Sequence, residues 1–103
     1  MKYKTLLLAI STALLVTSFT IDAKEKTKLE ECKFIESHAS NVMSLRQKEV
    51  SLSRVIEAAN GNEFTVNMIV GAYESPHYSS KEYKERAKKE FANKYYLACF
   101  SYK

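Results

Sequence analysis

Two cysteines, Cys32 and Cys99, stand with 66 residues between them in a chain of 103 and are the only cysteines it has. A bridge between them would tie nearly everything that can fold into one closed loop. In the chain-entropy account a loop of that length is worth about 4 kcal/mol, against a total stability of about 5 to 15 kcal/mol for an ordinary domain. Whether the bridge forms depends on the redox compartment, so the N-terminus has to be read first.

The chain opens Met1-Lys2-Tyr3-Lys4 and continues Thr5-Leu6-Leu7-Leu8-Ala9-Ile10-Ser11-Thr12-Ala13-Leu14-Leu15-Val16. A basic start followed by an apolar stretch of this length has the form of an export signal. Ala23 supplies the small residue before cleavage, with Ile21 two positions earlier and Lys24-Glu25-Lys26 directly after. The expected division is a signal peptide over 1–23 and a single helical domain over 24–103. The competing reading is a retained anchor, since residues 5–21 approach the shortest span that crosses a bilayer. Four Thr and two Ser within them weaken it. No cysteine lies near the cleavage point to carry a lipid, and no stable membrane span is expected after cleavage.

Removal of residues 1–23 takes away Lys2, Lys4 and Asp22, leaving 14 basic and 11 acidic residues. The charges alternate in sign, as in Lys84-Glu85-Arg86, which is the pattern of a solvated helix face and not of a polycation. Nucleic acid is therefore not the expected partner. Export delivers both cysteines to an oxidising compartment, and a structural disulfide is the leading reading. Two free buried thiols and an exchanging redox pair are the alternatives, the second disfavoured because the cysteines do not form a C-x-x-C motif.

Helical periodicity accounts for the rest. From residue 28 to about 48, Cys32, Ile35, Ala39, Val42 and Met43 recur at steps of three and four, with Phe34, His38 and Leu45 on the flank of that stripe. A short helix is expected over about 52–59, with Ser51 as N-cap and Val50 and Val55 at hydrophobic-staple spacing. Asn60-Gly61 tolerates a left-handed backbone, Asn62 caps a third helix carrying Phe64, Val66, Ile69, Val70 and Tyr73, and Pro76 stops it. Ser79 and Glu82 form a capping box for the last helix, with Tyr78 and Tyr83 as its staple. Tyr83, Ala87, Phe91, Tyr95, Ala98 and Tyr102 then mark one apolar face reaching almost to Lys103. No strand-like alternation occurs. The expected fold class is all-α, a compact bundle of about four helices closed by one disulfide.

Chemistry is scarce. The sequence holds no H-E-x-x-H, G-x-S-x-G or Gly-rich phosphate loop, and only His38 and His77. No metal, cofactor or catalytic residue is assigned. His38 is expected to pack beside the core stripe and His77 to be a solvated loop residue. Glu30, Glu31 and Glu36 are read as surface charge. Arg46 and Gln47 end the first helix, where the plain reading is helix C-terminal capping and the sharper one a polar anchor for a partner. Tyr73, Pro76 and His77, with Tyr78, surround a helix break; they either lock the corner by ring packing or present aromatic surface. Tyr96 and Phe100 point a quarter-turn off the stripe and are candidates for an exposed contact, or a cover for the disulfide.

Cys32, Met43 with Arg46-Gln47, Ser51-x-Ser53, Ala72-Tyr73-Glu74-x-Pro76, Ser79-Ser80, Phe91 and Tyr96-Leu97-x-Cys99, behind an export signal, resemble small exported proteins of Gram-negative bacteria and their phages or prophages. The resemblance spans Cys32 to Cys99. It implies a periplasmic helical protein with one disulfide and carries no activity. A Gly often follows the Arg-Gln pair in such proteins. Here Lys48-Glu49 stands instead, so a differently shaped first turn is expected.

The resulting expectation is a non-enzymatic periplasmic binding or modulating protein, acting on a periplasmic or envelope protein through Arg46, Gln47, Tyr73, Pro76, His77, Tyr96 and Phe100. Two alternatives stand beside it. One is a small cell-wall-directed enzyme or lysozyme inhibitor-like factor, using Glu36 with His38 or His77. The other is a membrane-active envelope peptide, using the aromatic face of the last helix.

Overall fold

The computed structural model describes residues 23–102. The export segment expected over 1–23 lies outside these residues except for Ala23. Among the described residues there are four α-helices and no strand: α1 Ala23–Gln47, α2 Leu52–Ala58, α3 Glu63–Tyr73 and α4 Lys81–Ser101. The expected all-α bundle is the fold, and its limits are close to those the periodicity predicts. α1 starts five residues earlier than expected, because nothing from Ala23 to Lys28 breaks a helix and Glu25 in the first turn suits the positive end of its dipole.

α1 and α4 form the long antiparallel pair, and Cys32 is bonded to Cys99 across it with Cα atoms 5.6 Å apart. Cys32, Ala39, Val42 and Met43 of α1 are buried, as the stripe predicts. Ala39, Val42 and Met43 meet Phe91 of α4, Val55 of α2 and Met68, Ile69 and Ala72 of α3 in one core, with Ile35, Leu45, Val50, Ala87 and Tyr95 packed on its edge. Met68 and Ala72 are fully buried, although periodicity predicts for α3 a face of Phe64, Val66, Ile69, Val70 and Tyr73. Phe64 and Val70 are instead substantially exposed. The core-facing side of α3 is turned from the expected one: the helix packs on α1 and α2, and α4 reaches it through the rings of Phe91 and Tyr95 beside Gly71.

The connections show how the sequence ends each helix. α1 closes in a Schellman arrangement: Val50 N–H donates to Leu45 C=O at 3.1 Å and Glu49 N–H to Arg46 C=O at 3.0 Å. The position that usually takes glycine is occupied by Glu49, at φ 60°. Asn60 and Gly61 both adopt the left-handed backbone, with φ 52° and 80°, and Asn62 caps α3 by accepting from Thr65 N–H at 2.9 Å. These are the expected roles.

Three local expectations need correction. Ser51 precedes α2 but makes no side-chain cap; its hydroxyl is 3.0 Å from that of Ser53. Ser80, not Ser79, caps α4, accepting from Tyr83 N–H at 3.1 Å. Tyr83 and Tyr102, which the periodicity places on the buried stripe, are exposed: Tyr83 lies in the first turn of α4, and Tyr102 is the extended residue that follows its last.

Unequal helix lengths leave one end of the bundle uncovered. At 1.5 Å per residue α1 and α4 are roughly 38 and 32 Å long, and α3 only about 17 Å. α3 runs alongside α1 from the level of His38, where His38 Nε2 is 3.2 Å from Thr65 Oγ1, to the level of Arg46. Among the described residues, the turns of α1 before Phe34 and of α4 beyond Ala98 lie past the reach of α3 and are joined to each other by the disulfide.

Candidate functional site

The expected site residues fall into two groups at opposite ends of the molecule. Arg46, Gln47, Tyr73, Pro76 and His77 converge where the end of α1 meets the segment linking α3 to α4. Gln47 is 3% exposed, and its amide is turned inward onto that segment. Its Nε2 donates to Pro76 C=O at 2.9 Å and lies 3.5 Å from Met43 Sδ, while its Oε1 accepts from Tyr78 N–H at 3.0 Å. The Arg46 Nε donates to Ser75 C=O at 3.0 Å, and its guanidinium stands over the Tyr73 ring, 5.4 Å from the centroid. The Tyr73 hydroxyl donates to Val50 C=O. Burial pushes the Tyr73 phenol up, with the nearby Arg46 charge acting in the opposite sense.

These contacts supply what a non-helical segment lacks, namely partners for its backbone carbonyls and amides. Helix capping, the plain reading of Arg46 and Gln47, is performed by the backbone of Glu49 and Val50; the two side chains serve a distant segment instead. The corner is locked by hydrogen bonds from α1 as well as by rings, of which Tyr78 and Tyr83 meet at 5.9 Å. His77, expected to be solvated, is half-buried: its Nε2 is enclosed, has no hydrogen-bond partner and lies 3.7 Å from a Glu49 carboxylate oxygen.

The second group is at the disulfide end. Tyr96 and Phe100, one turn apart on α4, are stacked with centroids 6.1 Å apart and planes 8° from parallel. The Lys28 ammonium stands 5.0 Å from the Phe100 centroid. Phe100 is 45% exposed and Leu97 beside it 67%. On the opposite flank of the disulfide, Ile35, Phe64, Tyr95, Ala98, Cys99 and Tyr102 line an open groove of about 340 Å³. A neighbouring hollow of about 430 Å³ shares Ile35 and Phe64 and is bounded by Glu31 and Phe34. Phe64 meets Tyr95 edge to face at 6.3 Å, and burial pushes the Tyr95 phenol up.

Sequence reasoning singles out Tyr96 and Phe100 but misses the groove. Periodicity puts Phe34 on the flank of a buried stripe and Tyr102 on a core face, and both are mostly exposed. The one signal in the sequence is that Phe34 stands off the three-four spacing of its neighbours.

A polar trough of about 840 Å³ runs along the other side of the α1–α4 seam, with Glu36, Ser40, Asn41 and Arg86 among its lining residues. Its charges are largely paired within α4, Lys88 with Glu85 at 2.8 Å and Arg86 with Glu82 at 3.9 Å. Lys88 holds the exposed Glu85 carboxyl below its ordinary range. Glu36 lines this trough while His38 turns to α3, so the fold does not bring these two together. Among the described residues no group of three His, Cys, Asp or Glu side chains is placed to hold a metal ion, and no helix is long and apolar enough to cross a membrane.

No protein-family model, curated protein or solved structure gives a significant match to the chain.

Proposed function

We propose that the chain is an exported, non-enzymatic binding protein that presents the surface around its disulfide to a protein of the periplasm or envelope. The observation that supports this reading is the distribution of exposed large apolar residues. Of the eight among the described residues, Phe34, Phe64, Leu97, Phe100 and Tyr102 gather around Cys32–Cys99, while Leu52, Val70 and Tyr83 are scattered elsewhere. Clustered exposed aromatics are the usual anchors of protein recognition, and here a covalent bond joins the two helices that carry all but Phe64. Export accords with the signal-like residues 1–23 and with a disulfide, which persists in oxidising compartments. The proposal of a phage or prophage origin rests on the sequence resemblance alone.

In this reading Tyr96 and Phe100 make the partner contact, and Arg46, Gln47, Tyr73, Pro76 and His77 hold the frame. The test is crosslinked capture from an envelope extract, comparing the wild-type protein with Phe100→Ala and Tyr96→Ala. A discrete partner bound by wild type, with affinity falling at least about tenfold in the variants while their melting curves stay unchanged, is the expected result. Capture of nothing, or capture indifferent to both substitutions, contradicts the proposal.

The Lys28–Phe100 contact favours one second reading, insertion of this edge into an anionic lipid surface. Dye release from anionic vesicles that requires Phe100 would support that reading over the first.

A further inference from the structure

The flank of the disulfide opposite Tyr96 and Phe100 carries a projection and a recess on the same face. Phe34 stands out from α1, 73% exposed, with its ring stacked over His38 at 6.4 Å. Beside it lies the groove lined by Ile35, Phe64, Tyr95, Ala98, Cys99 and Tyr102, about 340 Å³ in volume, which is room for a phenyl ring. The hollow at the foot of Phe34 and this groove share Ile35 and Phe64, so projection and recess are immediate neighbours.

We infer that this face binds a second copy of the chain, each Phe34 entering the groove of the other about a two-fold axis. A two-fold pairing requires a surface complementary to itself, and an adjacent knob and hole of matching chemistry provide it. The area also fits. Phe34, Phe64 and Tyr102 are 73%, 49% and 81% exposed, which at 150 to 250 Å² per aromatic side chain leaves roughly 300 to 500 Å² of apolar surface open to water. A stable interface of standard size buries about 800 Å² per partner, of which about 450 to 520 Å² is apolar. Charge permits the pairing as well: of the residues lining the groove and the hollow, Glu31 alone is charged, so two copies that keep 14 basic and 11 acidic residues after removal of 1–23 meet through recesses with little charge. The dimer draws Phe34, Phe64 and Tyr102 from the exposed cluster and leaves both Tyr96–Phe100 flanks outward, so Phe34→Glu tests the dimer and Phe100→Ala the partner contact.

The experiment is sedimentation velocity on the oxidised protein recovered after export, over a dilution series in the micromolar range. The expected result is a reversible monomer–dimer equilibrium that strengthens or holds as salt is raised. Phe34→Glu and, separately, Ala98→Glu abolish the dimer while keeping the melting curve of the monomer, Phe34→Tyr retains it, and Phe100→Ala leaves it unchanged. A wild-type protein that stays monomeric throughout, association into open-ended species, or a Phe34→Glu protein that still dimerises overturns the inference. So does binding of this face to anionic phospholipid vesicles in place of self-association, which would assign it to a membrane surface.

Discussion

Gln47 carries more of the structure than a terminal helix residue usually does. It is the only buried polar residue among those described, and both ends of its amide are engaged by the backbone of residues 76 and 78. Replacing it with Leu keeps the volume but leaves a carbonyl and an amide without their partner, and an unmet buried group costs about 1 to 3 kcal/mol. Gln47→Leu is therefore expected to lower stability by about 2 to 4 kcal/mol in urea unfolding, several times the effect of an ordinary surface substitution. A loss under about 0.5 kcal/mol would mean that the corner holds without the amide. The sequence draws the eye to Arg46 and Gln47 because two long polar residues stand where a helix must end. It does not say which way they turn. Their partners are 29 to 31 residues away along the chain, and local pattern contains no term for that distance.

At the scale of elements, caps and turns are legible where the residue itself supplies the conformation. Asn60, Gly61 and Asn62 behave as their chemistry predicts. Ser79 and Ser80 offer two adjacent caps of equal chemistry, and the capping-box spacing selects the wrong one. The register follows from how α4 lies on α1, where Phe91 and Ala92 are buried, which is tertiary information. Glu49 could not be anticipated either, since an acidic residue carries no sign of a left-handed backbone. Its φ of 60° costs about 1 to 2 kcal/mol that glycine would not incur. Its carboxylate returns little, being 3.7 Å from His77 and 70% exposed, the setting in which ion pairs contribute least. Glu49→Gly is thus expected to raise stability by about 1 kcal/mol, or about 5 °C in Tm, after allowing for the greater freedom of glycine in the unfolded chain. A fall in Tm would show that the Glu49 side chain stabilises the turn through His77 more than the backbone term costs.

The whole molecule follows from unequal helix lengths. Periodicity reports which residues share a face of a helix, and on that basis four helices and most of the α1 core are readable. It does not report whether a neighbour is long enough to cover that face. With 11 residues in α3 against 25 and 21 in α1 and α4, the α4 stripe runs past its cover at Tyr102, while Phe34 stands off the α1 stripe and Phe64 lies on the side of α3 turned from the core, and all three emerge as surface. That uncovered end is the one the disulfide closes. Without it, the first turns of α1 and the last of α4 would have little apolar burial to hold them, and helices of this length are marginal unless packed. The proposed binding surface and the proposed dimer face both depend on that closure.

The most direct measurement is urea unfolding of the oxidised protein beside its Cys32→Ala/Cys99→Ala counterpart. The closed loop predicts a loss of about 4 kcal/mol on removing the bond, with the partner contact and self-association lost alongside it. Superimposable unfolding curves for the two proteins would contradict the account.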